Sequence, residues 1–419
     1  MTSLTTTAAT AHSPKRLGQA RAAVAVLFLT NGALFANLLP HYPAIKAELD
    51  LSNAALGISI AAFPLGAIIA GLAAGSLIRR FRSARVATAG TILIGLAILV
   101  AGLAPSWTAL TVALFIAGSM DAIVDVAQNS HGLRVQKLYK RSILNSFHAV
   151  WSIGAVLGGL MGAAAAGLEV PRGVHLSISL VLFSTVALVF YRFLLPGAEP
   201  EEPAGDAGVP SAGPAAGNAG GNVRRWVMAG ALAALVLIAA AGALVEDAGS
   251  SWAAVYLAGP LGASATIAGL GYVALVGLQF VGRLVGDRLV DRFGQRAVAQ
   301  AGGLLAAAGM GIALLFPSVP LTIIGFGLAG LGVATLVPAA MHSADELPGL
   351  KTGTGLTVVS WLMRLGFLLS PPIVGAIADN TSLRTGLLVV PLAGLLVLLA
   401  SPVLPKRAAS GSHHWINEK

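Results

Sequence analysis

Residues 291–302 read DRFGQRAVAQAG, and residues 79–90 read RRFRSARVATAG. The two stretches lie 212 positions apart, with arginine, phenylalanine, alanine, valine and glycine at matching places. The same shift superposes glycines in three further places: Gly57 on Gly269, Gly118 on Gly330 and Gly154 on Gly366. One coincidence of this kind would mean little, but a constant offset across several segments predicts that the chain is built from two homologous halves.

The composition of both halves is that of a membrane protein. Of the 419 residues, 56% are hydrophobic and only 10% are charged, against about 25% charged in soluble domains. Apolar runs of ~20 residues, the length that crosses a hydrocarbon core, recur along the whole chain. We therefore predict an all-α polytopic membrane protein with twelve transmembrane helices in two pseudo-symmetric six-helix halves.

The apolar runs give approximate bounds for these helices. The first six are predicted at 20–44, 53–78, 86–104, 108–130, 144–168 and 173–195. The second six are predicted at 225–256, 264–286, 297–316, 320–341, 353–378 and 383–404. The chain then consists of an N-terminal half at 1–195 with a tail at 1–19, a linker at 196–223, a C-terminal half at 224–405 and a tail at 406–419.

The distribution of positive charge predicts the orientation. With the N-terminus inside, the outer loops contain only Lys46, Arg172 and Arg384, and nearly all other Lys and Arg fall on the inner side. Because positively charged loops stay in the cytoplasm, we predict a multi-pass protein of a bacterial cytoplasmic membrane with both termini in the cytoplasm. The Gly/Pro/Ala-rich linker is expected to be a flexible cytoplasmic segment. The net charge of +9 flanks apolar runs, unlike the clustered bases of a nucleic-acid-binding protein.

The sequence offers little for catalysis. It has no cysteine, which excludes disulfides and thiolate chemistry, and it contains no P-loop, nucleophile elbow or metal-ligand cluster. Gly325, Gly327 and Gly330 spell GxGxxG, but a dinucleotide site needs this motif at a strand-to-helix turn, and here it lies in an apolar helix. We predict a non-enzyme without cofactor or metal, which acts as a monomer in the lipid bilayer.

The loop after the eighth helix, GDRLVDRFGQR from Gly286, resembles the signature loop of the major facilitator superfamily. The acid, arginine, glycine and base of that signature are matched by Asp291, Arg292, Gly294 and Arg296. In the first half, Arg79 stands where the acid is expected and Arg82 where the glycine is expected. The resemblance therefore implies a working signature loop in the second half alone.

Four further segments are similar to a bacterial branch of that superfamily that includes rhizopine-type carriers. They are DVAQN (125–129), NSFHAVWSIG (145–154), SWAAVYLAGPLGAS (251–264) and GFLLSPPIVG (366–375). The resemblance covers nearly the whole chain and implies a transporter with its substrate site between the halves, near the membrane midplane. It leaves the substrate open, because such folds host many functions.

Three glycines recur every four residues in the fifth helix. Gly154, Gly158 and Gly162 resemble the glycine motif of drug/proton antiporters, with Gly159 in the place of its proline. The same spacing also fits plain packing of small residues between membrane helices. Both interpretations stay open at this point.

Ionisable residues inside membrane helices are costly and are therefore candidates for function. Asp121 and Asp125 lie four residues apart on one face of the fourth helix, where they could exchange protons or meet a cation. His148 and Trp151 lie at similar depth on the fifth helix, and a histidine can relay protons near neutral pH. Each of these residues could instead belong to a structural polar network.

The C-terminal half contributes further candidates. Arg364, near the middle of the eleventh helix, needs a partner, which we expect to be Glu246, Asp247, Asp121 or an anionic group of the substrate. Hydropathy alone places Glu246 and Asp247 at the outer end of the seventh helix. The repeat instead aligns Glu246 with Leu34, well inside the first helix.

Matched helix interruptions favour the deeper placement of Glu246. Pro40 and Pro43 interrupt the first helix, and we expect EDAGSSW (246–252) to loosen the seventh helix at the corresponding place. Such interruptions mark the binding sites of transporters, so Glu246 is expected in the cavity. Trp252 could anchor the seventh helix in the membrane interface or form a wall of the cavity, and we favour the anchor.

Two further groups complete the predicted site. Polar and stacking contacts in the cavity are expected from Asn31, Gln279 and Trp361. A cytoplasmic gate of ion pairs that break as the halves rock is expected from Arg283, Asp287, Asp291 and Arg292.

These observations predict a secondary active transporter that moves a small polar or amphipathic organic molecule by alternating access, driven by a proton gradient. The substrate could carry an anionic group. Uptake by symport and export by antiport would use the same machinery. The alternatives are a non-transporting membrane receptor or assembly subunit, and a passive channel or scramblase on the same fold.

Overall fold

The computed structural model describes residues 13–140, 143–197, 219–347, 350 and 353–406, with 219–225 described by their backbone alone. The predicted tail at 406–419 and most of the linker lie outside these residues. Twelve helices are long and apolar enough to span a membrane, which confirms the predicted fold class. The first six are α1 Pro14–Glu48, α2 Asn53–Phe81, α3 Ser83–Gly102, α4 Trp107–Tyr139, α5 Leu144–Gly167 and α6 Arg172–Tyr191. The second six are α7 Trp226–Ala258, α8 Ala265–Phe293, α9 Gln295–Leu315, α10 Val319–Asp345, α11 Thr354–Asn380 and α12 Leu383–Val403.

Several helices extend beyond the apolar runs. The ends of α2, α4 and α8 lie at Phe81, Tyr139 and Phe293, and α1 begins at Pro14, inside the stretch predicted as a tail. Hydropathy stops at the first basic or polar residues, but Lys, Arg and Gln are good helix formers and continue the backbone hydrogen bonds past the apolar region. At the start of α1 the Ser13 hydroxyl caps the first turn.

The predicted interruption of α1 is present. The helix is α-helical over Pro14–Ala36, passes through a 3₁₀ turn at Leu39–His41 and resumes over Tyr42–Glu48. Pro40 and Pro43 cause the change because a proline has no N–H to donate to the preceding turn.

The expected loosening of α7 at residues 246–252 is wrong. A single continuous helix runs through this stretch to Ala258. The stretch contains no proline, and the Ser250 hydroxyl donates to the Glu246 carbonyl oxygen at 2.8 Å without breaking the helix. Within the described residues of the C-terminal half, the breaks lie instead in α10 after Val333, in α11 at Met363 and in α12 at residues 387–388.

Glycines set the closest contacts within each half. A Cβ atom added at three positions of α5 would lie 2.1, 2.3 and 2.7 Å from carbonyl oxygens of α1: Gly154 from Leu29, Gly158 from Ala33 and Gly162 from Asn37. The glycine stripe of α5 therefore forms the packing surface for α1. Gly330, the last glycine of the GxGxxG sequence, packs in the same way against the Leu275 carbonyl of α8.

The two halves meet along two pairs of helices, α2 with α11 and α5 with α8. We call the end of the bundle where α1 begins and α12 finishes the terminal end, and the opposite end the far end. At the far end, a Cβ atom at Gly57 would lie 2.4 Å from the Pro371 carbonyl oxygen, and one at Gly269 would lie 2.5 Å from the Ala163 Cβ. Backbones in such close contact close the far end.

Toward the terminal end the halves separate. Gly75 is 18 residues from Gly57, so at 3.6 residues per turn it lies on the same face of α2. A Cβ atom at Gly75 would nevertheless meet only the Arg79 side chain within 4 Å. On α11, Arg364 is exposed and Trp361 is 57% exposed. The space between the halves is thus open to the terminal end.

Substitution of Gly118 by alanine tests the close packing of α2 and α4. The new methyl group would lie 1.9 Å from the Phe63 carbonyl oxygen, and backbone cannot move aside cheaply, so we expect a stability loss of about 1–3 kcal/mol and a lower Tm in detergent. Gly71→Ala is the control, because its methyl group would make an ordinary 4.0 Å contact with Ala122. Equal Tm values for the two variants would contradict this packing.

Candidate functional site

Asn31 of α1 connects two other helices of the N-terminal half. Its Nδ2 donates to Asp121 Oδ1 at 2.9 Å, and its Oδ1 accepts from Trp151 Nε1 at 2.8 Å. An indole N–H can only donate, so the orientation of the Asn31 amide is fixed. The three predicted residues form one largely buried network that joins α1, α4 and α5.

Asp125 and His148 belong to a second network, bridged by Asn129. The Asn129 amide donates to Asp125 Oδ1 at 2.9 Å, and its Oδ1 lies 3.2 Å from His148 Nε2. Because the amide nitrogen faces the carboxylate, the amide oxygen faces the imidazole, and His148 Nε2 must carry the hydrogen. Asp125 and His148 are both exposed to the space between the halves. Gln128, in contrast, is buried and donates to the Leu27 carbonyl at 3.0 Å.

Glu246 of α7 faces two side chains of α8. Gln279 Nε2 donates to Glu246 Oε2 at 2.6 Å, and the Arg283 guanidinium lies 3.6 Å from the same oxygen. Arg283 also donates to Ser152 Oγ of α5 at 3.5 Å, which makes it a polar contact between the halves. Arg283 was predicted to belong to the gate, but the structure places it beside the cavity acid Glu246.

Arg364 has no ion-pair partner among the described residues, and its side chain is exposed in the opening between the halves. The three acids predicted as partners bond elsewhere: Asp121 with Asn31, Glu246 with Gln279 and Arg283, and Asp247 with Ser251. Arg364 instead lies close enough to Asp125 to interact with it electrostatically. A permanently charged group therefore faces an acid–amide–histidine network across the cavity.

The other predicted gate residues lie at the terminal end of α8. Asp287, Asp291 and Arg292 are exposed, and within the described part of the chain they form no ion pair. Arg292 lies over the ring of the neighbouring Phe293. The absence of ion pairs among these gate residues is expected when the terminal end is open. The gate stays a prediction for a conformation in which that end is closed.

The prediction that Trp252 anchors α7 in the membrane interface is wrong. The side chain is fully buried, at 0% exposure. The segment Tyr42–Glu48, which follows the break in α1, packs on α7 at the far end and helps to cover this region. The side chain belongs to the hydrophobic core, so tertiary packing, which hydropathy does not reveal, removes the tryptophan from lipid.

Asp379 of α11 closes the far end and was missed in the sequence. Its Oδ1 accepts from the Asn53 backbone N–H at 2.8 Å and from Asn53 Nδ2 at 2.9 Å, and its Oδ2 accepts from the Ala54 N–H at 2.8 Å. It thus caps the first turn of α2 across the two halves. The available signal was an acid at the C-terminal end of a helix, where the macrodipole disfavours it unless it finds donors.

A buried histidine pair at the far end was also missed. Asn37 Nδ2 donates to the Ala33 carbonyl at 2.7 Å, so Asn37 Oδ1 accepts from His175 Nε2 at 2.9 Å. His175 Nδ1 is then the acceptor of the 3.0 Å bond with His41 Nε2. This relay ties the interrupted part of α1 to α6.

Comparison with known proteins agrees with this architecture. The family model described as Major Facilitator Superfamily matches residues 24–277 and 235–414. The chain belongs to the major facilitator superfamily. As a member of this superfamily it is a transporter and not an enzyme.

Two relatives of this major facilitator protein come from rhizobia. It is 31% identical over 381 residues to the uncharacterized transporter y4wD of Sinorhizobium fredii, and the aligned region covers 91% of this chain and 97% of the relative. It is 30% identical over 381 residues to the membrane protein MosC of Rhizobium meliloti, covering 90% and 88% of the two chains. These relatives confirm the predicted branch. The crystal structure of the nucleoside transporter NupG shares the fold, with a TM-score of 0.71, 11% identity and coverage of 91% and 98%.

Substitution of Asp379 by asparagine should loosen the far end of this major facilitator protein. The N–H groups of Asn53 and Ala54 would lose a charged acceptor, and hydrogen bonds to charged groups contribute about 1.5–3 kcal/mol. The chain has no native cysteine, so spin labels on Pro105→Cys and Pro317→Cys, in far-end loops of opposite halves, can report the separation by electron–electron resonance. We expect the distance distribution to gain a longer component.

The matched control for this experiment is Asp345→Asn. Asp345 accepts from the Gly353 N–H at 2.7 Å within the C-terminal half, so its loss leaves the contact between the halves intact. An unchanged distribution in Asp379→Asn, or an equal change in both variants, would show that the Asp379 cap does not hold the far end closed.

Proposed function

We propose that the chain is a proton-coupled transporter of the bacterial cytoplasmic membrane, which moves a small organic molecule with an anionic group by alternating access. The observation that carries the proposal is the exposed Arg364, which lacks an ion-pair partner among the described residues and faces the Asp125–Asn129–His148 network.

An anionic substrate group would be an ion-pair partner for Arg364. A guanidinium keeps its charge and presents a planar fork of N–H donors that matches a carboxylate or phosphate. Such a charge in the membrane interior is costly without a partner. Trp361 is 57% exposed on α11. Trp151 is half-buried on α5, and its N–H is already bonded to Asn31. These features favour a compact substrate with one anionic group and an apolar or ring portion.

Proton coupling is supported by the position of Asp125 and His148. Both are exposed to the opening between the halves, so water can deliver or remove protons there. The positive charge of Arg364 interacts electrostatically with Asp125. A substrate anion bound at Arg364 would offset this positive charge, which makes a proton on Asp125 more favourable. By linkage, proton binding then strengthens substrate binding by the same factor, which favours symport over antiport.

The orientation follows from charge. The loops and helix ends at the terminal end contain most of the lysines and arginines, among them Arg79, Arg80, Arg82 and Arg85 around the junction of α2 and α3. Positively charged loops stay on the cytoplasmic side. In this proposal the terminal end faces the cytoplasm, and the structure is the inward-open state of the transporter.

Arg364 is tested first with a ligand-stabilisation screen on purified protein, using small carboxylates, sulfonates and organic phosphates. A ligand at about 100 times its Kd adds roughly 2.7 kcal/mol to the apparent stability, so a true ligand raises the Tm. We expect Arg364→Ala to abolish the shift and Arg364→Lys to retain part of it. Arg288→Ala, which removes an exposed arginine from α8, should keep the full shift. An unchanged shift in Arg364→Ala would return that residue to a structural role.

Proton coupling is tested by transport of the anion from this screen into proteoliposomes. An inward proton gradient should accelerate uptake by the unmodified protein. Asp125→Asn should lose the response to the gradient while it still exchanges substrate across the membrane without one. Glu346→Gln, which neutralises an exposed acid just after α10, is the control and should keep the response.

The other outcomes of the transport experiment separate the alternatives. Uptake by the unmodified protein that ignores the gradient would refute the coupling. Flux that never exceeds passive equilibration would indicate a channel or scramblase. Ligand binding without any flux would indicate a receptor on the same fold.

A further inference from the structure

A basic recess of about 220 Å³ lies at the terminal end of the N-terminal half. It is lined by the starts of α1 and α3 and by the end of α6. Four arginines line it, Arg16, Arg82, Arg85 and Arg192, together with Tyr191 and no acidic residue. Like charges gathered in so small a volume repel one another, and a bound anion would offset that repulsion.

The backbone at Arg82 is strained. Its φ is 72° and its ψ is 143°, a region that is essentially restricted to glycine. The repeat places Gly294 at the equivalent position, with a φ of 85° and a ψ of 156°. The second half thus uses the residue that the turn favours, whereas the first half holds an arginine there at a cost in free energy. Retained strain of this kind points to a function for the side chain.

The second half also shows which arginines are needed for the fold. There Arg296, at the start of α9, donates to the carbonyl oxygens of Leu404, at 2.9 Å, and of Pro402 at the end of α12. In the first half Arg16 does the same for the end of α6, with a 2.9 Å bond to the Leu194 carbonyl. The carbonyl groups at the end of α6 therefore have a hydrogen-bond donor in Arg16 and do not need Arg82 or Arg85.

Arg82 and Arg85 are the surplus charges of the recess. Both are exposed, and neither has a side-chain hydrogen bond or ion pair within the described residues. The start of α3 adds the positive end of a helix dipole at the same place, and Arg82 at its N-cap supplies no side-chain acceptor.

We propose that this recess binds the phosphate group of an anionic phospholipid from the leaflet at the terminal end. Guanidinium groups match phosphate oxygens in paired hydrogen bonds, and basic pockets between membrane helices on the cytoplasmic side suit anionic headgroups. The inference is independent of the substrate and the proton coupling proposed above.

The surroundings of the recess favour a lipid over a free phosphate. Leu188 and Val189, just before the recess on α6, are 56% and 39% exposed, and Tyr191 is 39% exposed at its rim. An apolar helix face that ends in an aromatic ring is typical of a lipid-facing surface that meets the headgroup level. Acyl chains can lie along α6 while the headgroup occupies the recess.

The test measures thermal unfolding of the full-length protein in detergent with added phosphatidylglycerol, phosphatidylethanolamine or inorganic phosphate. Of these three additives, we expect only phosphatidylglycerol to raise the Tm of the unmodified protein. Each arginine near an anionic lipid contributes about a factor of five in affinity, so Arg82→Gln/Arg85→Gln should weaken binding of phosphatidylglycerol roughly 30-fold. Arg80→Gln is the matched control, because Arg80 lies nearby in the last turn of α2, over the Phe81 ring and outside the recess.

Arg82→Gly gives a readout that a structural arginine would not. Glycine relieves the strained backbone, so the lipid-free protein should have a higher Tm than the unmodified protein, while the shift with phosphatidylglycerol becomes smaller. A structural role for Arg82 predicts the reverse, a lower lipid-free Tm. This variant also keeps the proposal testable if the double glutamine variant fails to fold.

Three results would overturn the proposal. An equal shift in the unmodified protein and in Arg82→Gln/Arg85→Gln would place the lipid elsewhere. A comparable shift with inorganic phosphate would show an anion site that does not select lipid. The third is a Tm that phosphatidylglycerol leaves unchanged in the unmodified protein and raises only after Glu199, Glu201 and Glu202 are replaced by glutamine. Acids of the chain itself, and not a lipid, would then neutralise these arginines.

Discussion

The contact between α2 and α11 at the far end is the constraint on which the rest of the structure depends. There the backbone at Gly57 touches that at Pro371, and the Asp379 carboxylate caps the first turn of α2. Two halves that touch so closely at one end leave space between them only toward the other. The opening at the terminal end, and the exposure of Arg364 within it, follow from that contact.

The two halves contribute different charges to the cavity. The N-terminal half provides Asp121 in a closed network with an asparagine and Asp125 in an open one with His148. The C-terminal half provides two arginines, of which Arg283 is occupied by Glu246 and Arg364 is not. An aspartate and an arginine are thus held by structural partners at Asp121 and Arg283, whereas Asp125 and Arg364 stay available to a ligand. The difference lies in which hydrogen-bond and ion-pair partners the neighbouring helices supply.

The repeat explains where the halves have diverged. A shift of 212 residues places Ser152 on Arg364 and Gly71 on Arg283, so neither cavity arginine has a basic counterpart in the first half. At the terminal end the reverse holds, since Arg82 replaces the favourable Gly294. Departures from the symmetry coincide with the charges to which we assign binding of substrate and lipid.

The sequence by itself determined the twelve helices, the 212-residue repeat, the break in α1 and the family, because apolar run length, a constant offset and prolines act locally along the chain. Glycine spacing on α5 was also readable, although only the structure decided in favour of packing against α1. The sequence did not show that α7 runs through 246–252 without a break or that Trp252 is buried. The partners of Glu246, the cap by Asp379 and the pairing of His41 with His175 needed the tertiary structure. Each joins segments far apart in sequence, and the periodicity of one helix does not record which side chain of another helix will face it.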